Sequence, residues 1–255
     1  DPLCRVTAGS GDNPQTKVLV KGDLLSLGTS FVNMVSTDGT SYDFDGYANG
    51  MYDGLGRPFM FGCRTNGAMV WDGVRAMHGL GRNDFVAADS TLESTEAGKH
   101  VFLWQPDNES FPVSGAIDVT RIGYSEPDLA LDYAGSIESA LGIVYLYSRG
   151  FAASGSGPIA VTGGVTKVAE ILRRIAGIWN RPVATIGTVG AALGAAVAGA
   201  SGLAKAENRD FDPDALSSSV LPRGEIIEPR AGDIKAYHGD GGYLSRLENE
   251  YEKRR

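Results

Sequence analysis

The segment from Ile159 to Ser201 decides the fold that we expect for this chain: IAVTGGVTKVAEILRRIAGIWNRPVATIGTVGAALGAAVAGAS. An apolar run ends in Gly163 and Gly164, a helical pattern follows from Val168 to Trp179, and a second short strand runs from Pro182 to Ile186. The uncharged Ala- and Gly-rich run after it predicts a buried helix packed closely on a sheet, because such small side chains gain little from lipid. This order of elements is typical of an α/β domain with helices on a mixed sheet.

Two more predicted strands upstream also end in glycine turns. Arg5 to Ala8 ends at the turn Gly9 to Asp12, and Asp23 to Leu27 ends at Gly28 to Ser30, with Phe31 to Val35 as its hairpin partner. Glycine at a strand end lets the backbone turn sharply and brings amide groups close to a ligand. Since strand ends on one edge of such a sheet form the usual ligand crevice, the three turns together predict a binding site.

The remaining elements follow from periodicity and capping signals. We expect helices from Asn66 to His78 and from Pro127 to Arg149, the second opened by a capping residue, a first-turn proline and early acidic residues. Residues 37–57 and 105–123 show no clear period and are predicted as irregular, the first with some edge strand. We expect one domain over residues 1–207, with 208–255 as a surface excursion and a charged terminal helix of the same domain.

Composition excludes several classes of partner. The 255 residues are 42% hydrophobic and 21% charged, as in ordinary soluble globular proteins, and the net charge of -8 comes with no basic stripe for nucleic acid or acidic membranes. Cys4 and Cys63 are interpreted as reduced thiols of a cytoplasmic protein, and the three histidines are too isolated to predict zinc. The abrupt start at Asp1 suggests a fragment or a separate half of something longer.

Asp12 stands in the run GSGDNP, Gly9 to Pro14. A short polar acceptor followed by proline is the usual way to open a helix, so the local interpretation is that Asp12 or Asn13 is a helix cap. Local interpretations exist for the other turns as well. Thr29 and Ser30 can stabilise their own turn through side-chain hydrogen bonds, and the Gly163–Gly164 pair can serve as a tight connection from strand to helix.

The ordered set of turns resembles the carboxy-terminal domain of the FGGY carbohydrate kinases, with xylulokinase-like members nearest. The motifs that carry the likeness lie between Arg5 and Leu203: VTAGSGDNPQ, LLSLGTS, CRTNGAMVWDGVR, the looser DYAGSIESALG, and the segment quoted first. The resemblance implies a ribonuclease H-like α/β domain of the actin and hexokinase type, a mixed sheet flanked by helices. It also implies ATP-dependent phosphorylation of a sugar hydroxyl, expected to be that of a ketopentose such as xylulose or ribulose.

The same resemblance implies a role for each turn. Asp12 is the general base for the sugar hydroxyl, and the nucleotide contacts are Gly11, Gly28, Thr29, Ser30, Gly67, Gly163 and Gly164. Gly28 and Thr29 hold the phosphates through backbone N–H and hydroxyl donors, and Gly163, Gly164 and Gly67 approach the adenosine. Lys167 departs from the family, whose members often carry a small Ser or Asn near that position.

The family's amino-terminal domain, which carries most of the sugar contacts, has no counterpart in this sequence. We therefore expect that domain as a partner, in the same or a separate chain, and no phosphotransfer without it. Mg²⁺ is expected on the ATP phosphates through water and the other domain's carboxylates, with no metal ligand in this chain, and a homodimer is a further expectation. The alternative is an actin-like nucleotide-binding module with a regulatory or assembly role and no sugar chemistry.

Overall fold

The computed structural model describes residues 5–7, 18–37, 39, 43, 47–81, 83–109, 111–151, 157–186, 190–220 and 224–255. Its strands are β1 (Arg5–Thr7), β2 (Val18–Lys21), β3 (Asp23–Leu27), β4 (Phe31–Ser36), β5 (Ala48–Tyr52), β6 (Pro58–Arg64), β7 (Val101–Gln105), β8 (Ile117–Ile122), β9 (Ile159–Gly163), β10 (Val183–Thr185) and β11 (Ile226–Ile227). Its helices are α1 (Ala68–Met77), α2 (Phe85–Asp89), α3 (Leu129–Ser148), α4 (Ala169–Trp179), α5 (Gly190–Ala206), α6 (Pro213–Val220), α7 (Ala231–His238) and α8 (Tyr243–Glu252).

A seven-stranded mixed sheet forms the centre of the fold, in the order β11-β10-β9-β3-β4-β6-β5. β3 pairs in parallel with β9 and antiparallel with β4, so that Leu27 lies opposite both Gly163 and Phe31. The end of β3 is therefore next to two of the glycine turns predicted from the sequence. The α/β class with a mixed sheet flanked by helices is confirmed.

Buried side chains of the sheet pack in two directions. On β3, Leu25 and Leu27 join the large core that includes residues of α1, α3, α4, α7 and α8, whereas Leu24 joins a smaller cluster with Met34 and Phe59. This alternation is the two-residue period of a strand whose two faces are both covered. The large core fixes the helices against the strand ends where the glycine turns lie.

Helix α3 lies in that core. By length and composition it could cross a membrane, but 78% of its most apolar window is buried within the protein. Asp128 caps it, with its carboxylate accepting a hydrogen bond from the Leu131 amide at 2.9 Å. The expected helix from Pro127 to Arg149 is thus present over Leu129–Ser148.

Two regions differ from the sequence-based expectation. Residues 105–123 are not wholly irregular, since β8 pairs antiparallel with β7, and its side chains after Ile117 are only partly covered, which weakens the apolar signal. Residues 208–232 contain α6 and β11, and β11 extends the sheet by pairing with β10. β11 is short and depends on a partner distant in sequence, whereas β8 has ordinary length and was missed because its apolar pattern is weak.

The Ala- and Gly-rich run forms helix α5 as predicted, but the expectation that it is buried is wrong. Within that run Gly194 and Val197 are buried, whereas Ala192, Ala195, Ala196 and Gly199 are exposed. Val197 packs with Leu55 and Leu216 in a small separate cluster. The helix also contacts β1, β2 and α6, and much of the rest of its described surface is exposed to solvent.

Candidate functional site

A cavity of about 500 Å³ lies at the end of β3, between the sheet edge and helices α1, α2, α3 and α4. This volume falls within the usual range for small-molecule sites. Most of its wall is apolar, with a few charged groups among the lining residues. These are Leu27, Gly28, Ala68, Trp71, Asp72, Arg75, Phe85, Val86, Asp89, Tyr133, Gly164, Val165, Lys167, Val168 and Ile171.

The turn Gly28–Ser30 borders the cavity through its first residue, Gly28, which is one of the lining residues. The Gly28 amide donates to the Ser30 carbonyl at 3.1 Å, so it is used inside the turn. Among the described residues, none accepts a hydrogen bond from the amides of Thr29 and Ser30. The donors available to an anion at this turn are therefore those of Thr29 and Ser30 rather than that of Gly28.

Gly67 locks the start of α1 against the same turn. Its amide donates to the Thr29 carbonyl at 3.1 Å, and the next amide, of Ala68, donates to the Gly28 carbonyl at 3.1 Å. A Cβ atom at Gly67 would lie 2.6 Å from the Thr29 oxygen and 2.8 Å from the Phe31 ring. Only glycine permits this approach, which brings α1 to the side of the cavity.

The two glycines at the end of β9 have different constraints. Gly163 has a φ of 112°, and a Cβ atom there would lie 2.1 Å from the Leu27 carbonyl oxygen. Gly164 starts a short 3₁₀ helix, Gly164–Lys167, and has open space where its Cβ would be. Gly163 therefore allows the close pairing of β9 with β3, whereas Gly164 is exposed and borders the cavity.

A hydrogen-bonded network of charged groups forms another part of the wall. The Arg75 guanidinium pairs with Asp72 and donates to the Tyr133 hydroxyl at 3.2 Å, and that hydroxyl donates to Asp89 at 2.8 Å. Burial raises the pKa of Asp89, while the hydrogen bond from Tyr133 and the charge of Arg75 oppose that rise. Burial and the neighbouring Asp89 also raise the pKa of Tyr133, which stays a neutral donor.

The structure brings most of the predicted nucleotide contacts to one place. Gly28 and Gly164 line the cavity, Thr29 and Ser30 belong to the turn at its end, and Gly67 and Gly163 adjoin lining residues. Lys167 also lines the cavity, and its side chain is exposed. Gly11 and Asp12 lie outside the described residues, so the choice between helix cap and general base stays a prediction.

Sequence reasoning missed the charged and aromatic part of the wall. Arg75, Phe85, Asp89 and Tyr133 were not proposed as site residues, because none belongs to a glycine turn. The available signal was Asp72 and Arg75 three residues apart on a predicted helix, next to Trp71. Trp71 itself is 4% exposed and packs edge-on against Phe31 with ring centroids 5.1 Å apart.

The described part of the chain contains no group of three or more His, Cys, Asp or Glu side chains placed to hold a metal ion. The hydrogen-bond donors at the cavity end are neutral groups of the 28–30 turn. Such a turn suits an anion more than a cation. The cavity thus has a mostly apolar body, with the backbone donors of the 28–30 turn beside one end.

This combination defines a class of site, a largely apolar small-molecule pocket at the strand ends of a mixed α/β sheet. No family model matches the chain, and no curated protein matches it by sequence. Solved structures do match. A xyloylose kinase from Brucella ovis has a TM-score of 0.75 at 21% identity, over 98% of this chain and 49% of that protein.

Two further kinases are similar in structure to this chain. A ligand-bound xylulose kinase from Lactobacillus acidophilus has a TM-score of 0.70 at 19% identity, over 91% of this chain and 46% of that chain. A Plasmodium falciparum glycerol kinase with ADP has a TM-score of 0.67 at 15% identity, with the same two coverages, 91% and 46%. The chain therefore has the fold of one half of these sugar kinases, and it spans about half of their length.

Proposed function

We propose that this chain is the nucleotide-binding half of an ATP-dependent sugar kinase. The observation that carries the proposal is the convergence of the 28–30 turn, Gly67 and Gly164 on one cavity of about 500 Å³. These positions are far apart in the sequence and were selected for their likeness to the nucleotide motifs of FGGY carbohydrate kinases. The similarity of the fold to xylulose and glycerol kinases supports the same function.

In this proposal the apolar body of the cavity holds the nucleoside, and the 28–30 turn holds the phosphates. Thr29 and Ser30 supply backbone amides, and Thr29 adds a hydroxyl donor. Neutral donors of this kind bind phosphate without added cations, which is consistent with a net charge of -8. Gly28 contributes by letting its turn approach the ligand, and Gly163 by holding β9 against β3.

Asp12 is proposed as the general base that accepts the proton of the sugar hydroxyl, with Gly11 beside it at the phosphates. A carboxylate in a rigid turn suits this role, since the base must hold a fixed position within hydrogen-bond reach of the hydroxyl. Mg²⁺, when bound, neutralises charge on the phosphates. As the resemblance to the kinases implies, we assign its ligands to phosphate, water and the other half of the enzyme.

The partner is proposed to be an amino-terminal kinase domain that supplies most of the sugar site. The kinases of known structure are about twice as long as the matched region, which supports this assignment. Residues 1–207 would form the nucleotide-binding domain, with 208–255 as part of it. We further propose a ketopentose substrate, a cytoplasmic location and a homodimer.

The experiment joins this chain to an amino-terminal kinase half by co-expression and measures ATP-dependent phosphorylation of ketopentoses. Turnover is expected from the pair and not from the 255-residue chain alone. Asp12→Asn is expected to lower kcat by about 10²–10⁴-fold, the usual contribution of a general base. The exposed Asp240→Asn is the matched control.

Three outcomes would contradict the proposal. Robust sugar phosphorylation by the chain alone would show that it is not half of an enzyme. Near wild-type turnover in Asp12→Asn would remove the general base. Nucleotide binding without turnover by the pair, on any ketopentose, would favour the alternative of an actin-like binding module.

A further inference from the structure

The aromatic ring of Phe85 lines the cavity. The rest of the protein covers one face of this ring and leaves the other face open. It is the first residue of α2, and its side chain is 47% exposed although it lines the cavity wall. The Arg75 guanidinium carbon lies 4.5 Å from the centre of the ring. Since Arg75 is only 2% exposed, it covers the inner face of the ring, and the exposure of Phe85 belongs to the other face and the edge.

Arg75 is fixed in this position. It pairs with Asp72 on its own helix and donates to the Tyr133 hydroxyl of α3 at 3.2 Å. Asp89, on the same helix as Phe85, accepts a hydrogen bond from that hydroxyl at 2.8 Å. The network therefore joins α1, α2 and α3. It holds the short helix α2 in a position where the Phe85 ring lies against the Arg75 guanidinium.

The remaining walls of the cavity also suit a flat, apolar ligand. Trp71, Val165 and Ile171 line it from α1 and from the segment that follows β9. The 28–30 turn, with its anion-binding donors, lies at the end of β3. A molecule with a planar ring at one end and a negative charge at the other would fit both regions.

We propose that the open face of Phe85 is the stacking platform for the nucleobase of the bound nucleotide, and that Arg75 is a positioning residue behind it. The inference rests on the proposed function, because it assumes a nucleotide in the cavity. An aromatic ring can stack on any nucleobase, because every base has a π face. A cation on the opposite face of the same ring is attracted to its quadrupole, so Phe85 is held flat for stacking.

The test compares ATP with inorganic tripolyphosphate, which has no base, by calorimetric titration of the 255-residue chain. Phe85→Leu keeps an apolar side chain but removes the ring, and it is expected to weaken ATP binding about ten-fold with tripolyphosphate binding unchanged. Phe85→Trp keeps a stacking face and is expected to retain ATP affinity. Tyr52→Leu, which removes a 71% exposed ring on β5, is the matched control and is expected to change neither affinity.

A second readout does not depend on affinity. In Phe85→Trp, ATP is expected to quench the fluorescence of the added indole, and tripolyphosphate is not. Wild-type ATP affinity in Phe85→Leu, or equal losses for ATP and tripolyphosphate, would overturn the stacking role and leave the proposed function standing. Absence of binding of either ligand to the wild-type chain would instead count against the proposed function itself.

Discussion

Two charged networks lie against the same helix, α3, and they are built differently. Tyr133 belongs to the network beside the cavity, with Arg75, Asp72 and Asp89. Five residues further along, Glu138 is paired with Arg174 of α4 and accepts a hydrogen bond from the Tyr237 hydroxyl of α7 at 2.7 Å. We call these the cavity network and the core network.

The core network is closed to solvent and joins distant parts of the chain. Glu138 is 1% exposed and Arg174 is fully buried, and Arg174 also donates to the carbonyls of Leu92 and Thr95. Both carboxylate oxygens of Glu138 accept from the Gly98 amide at 3.1 Å. Burial raises the pKa of Glu138, and the charge of Arg174 opposes the rise.

The cavity network, in contrast, is open at its edge. The Asp72 side chain is 31% exposed, and Phe85 leaves one face uncovered beside Arg75. The comparison shows Glu138 enclosed in the core, whereas Arg75 and Tyr133 border the cavity.

The largest expected effect is on the core network. Glu138→Gln removes the counter-charge of a fully buried arginine and is expected to lower the free energy of unfolding by about 3–5 kcal/mol. Nucleotide affinity of the folded fraction should not change. Chemical denaturation measures the stability.

The matched control is Glu248→Gln, which breaks an exposed ion pair with Arg149 at 2.5 Å. Because both partners are in contact with solvent, the expected loss is at most about 1 kcal/mol. Equal losses in the two variants would show that the enclosure of the core network does not matter and would break the comparison.

The second prediction concerns the two glycines at the end of β9. Gly163→Ala places a Cβ against the Leu27 carbonyl at a positive φ, and it is expected to cost about 2–4 kcal/mol of stability. Gly164→Ala meets open space and should leave stability nearly unchanged, although it places a methyl group at the cavity. Thermal unfolding and ATP titration of both variants separate the two roles.

If Gly164→Ala proved as unstable as Gly163→Ala, both glycines would belong to the framework and neither to the binding surface. If Gly163→Ala folded normally, the close pairing of β9 with β3 would not need glycine.

The smallest effect on stability is expected in the cavity network. Tyr133→Phe removes the hydroxyl that joins Arg75 to Asp89, at an expected cost of about 1 kcal/mol. Its loss also frees Asp89 from a hydrogen bond that favours the charged form, so the pKa of Asp89 should rise further. NMR titration of the Asp89 carboxyl measures the pKa, and ATP affinity is expected to fall more than stability does.

Tyr145→Phe is the control for the loss of a tyrosine hydroxyl, since Tyr145 packs on Trp179 away from the cavity lining. A loss of stability in Tyr133→Phe as large as that of Glu138→Gln would mean that the two networks do not differ in kind.

Much of the candidate site could be predicted because its backbone follows from local signals. Glycine at the end of an apolar run marks a sharp turn whatever the rest of the chain does, so the turns at Gly28 and Gly163 were found from sequence. The resemblance to known kinases then predicted that these turns surround a bound nucleotide. The short strand β11 was missed because its partner is distant in sequence, and β8 because its apolar pattern is weak.

The sequence by itself determined the α/β class, the strands that end in glycine and the long helix α3. Only the tertiary structure decided which side chains share the cavity. Arg75 and Tyr133 are 58 residues apart, and neither carries a local signal of its role. They meet because the core packs α1 and α3 against one sheet, and such contacts between distant segments have no counterpart in the spacing of residues along the chain.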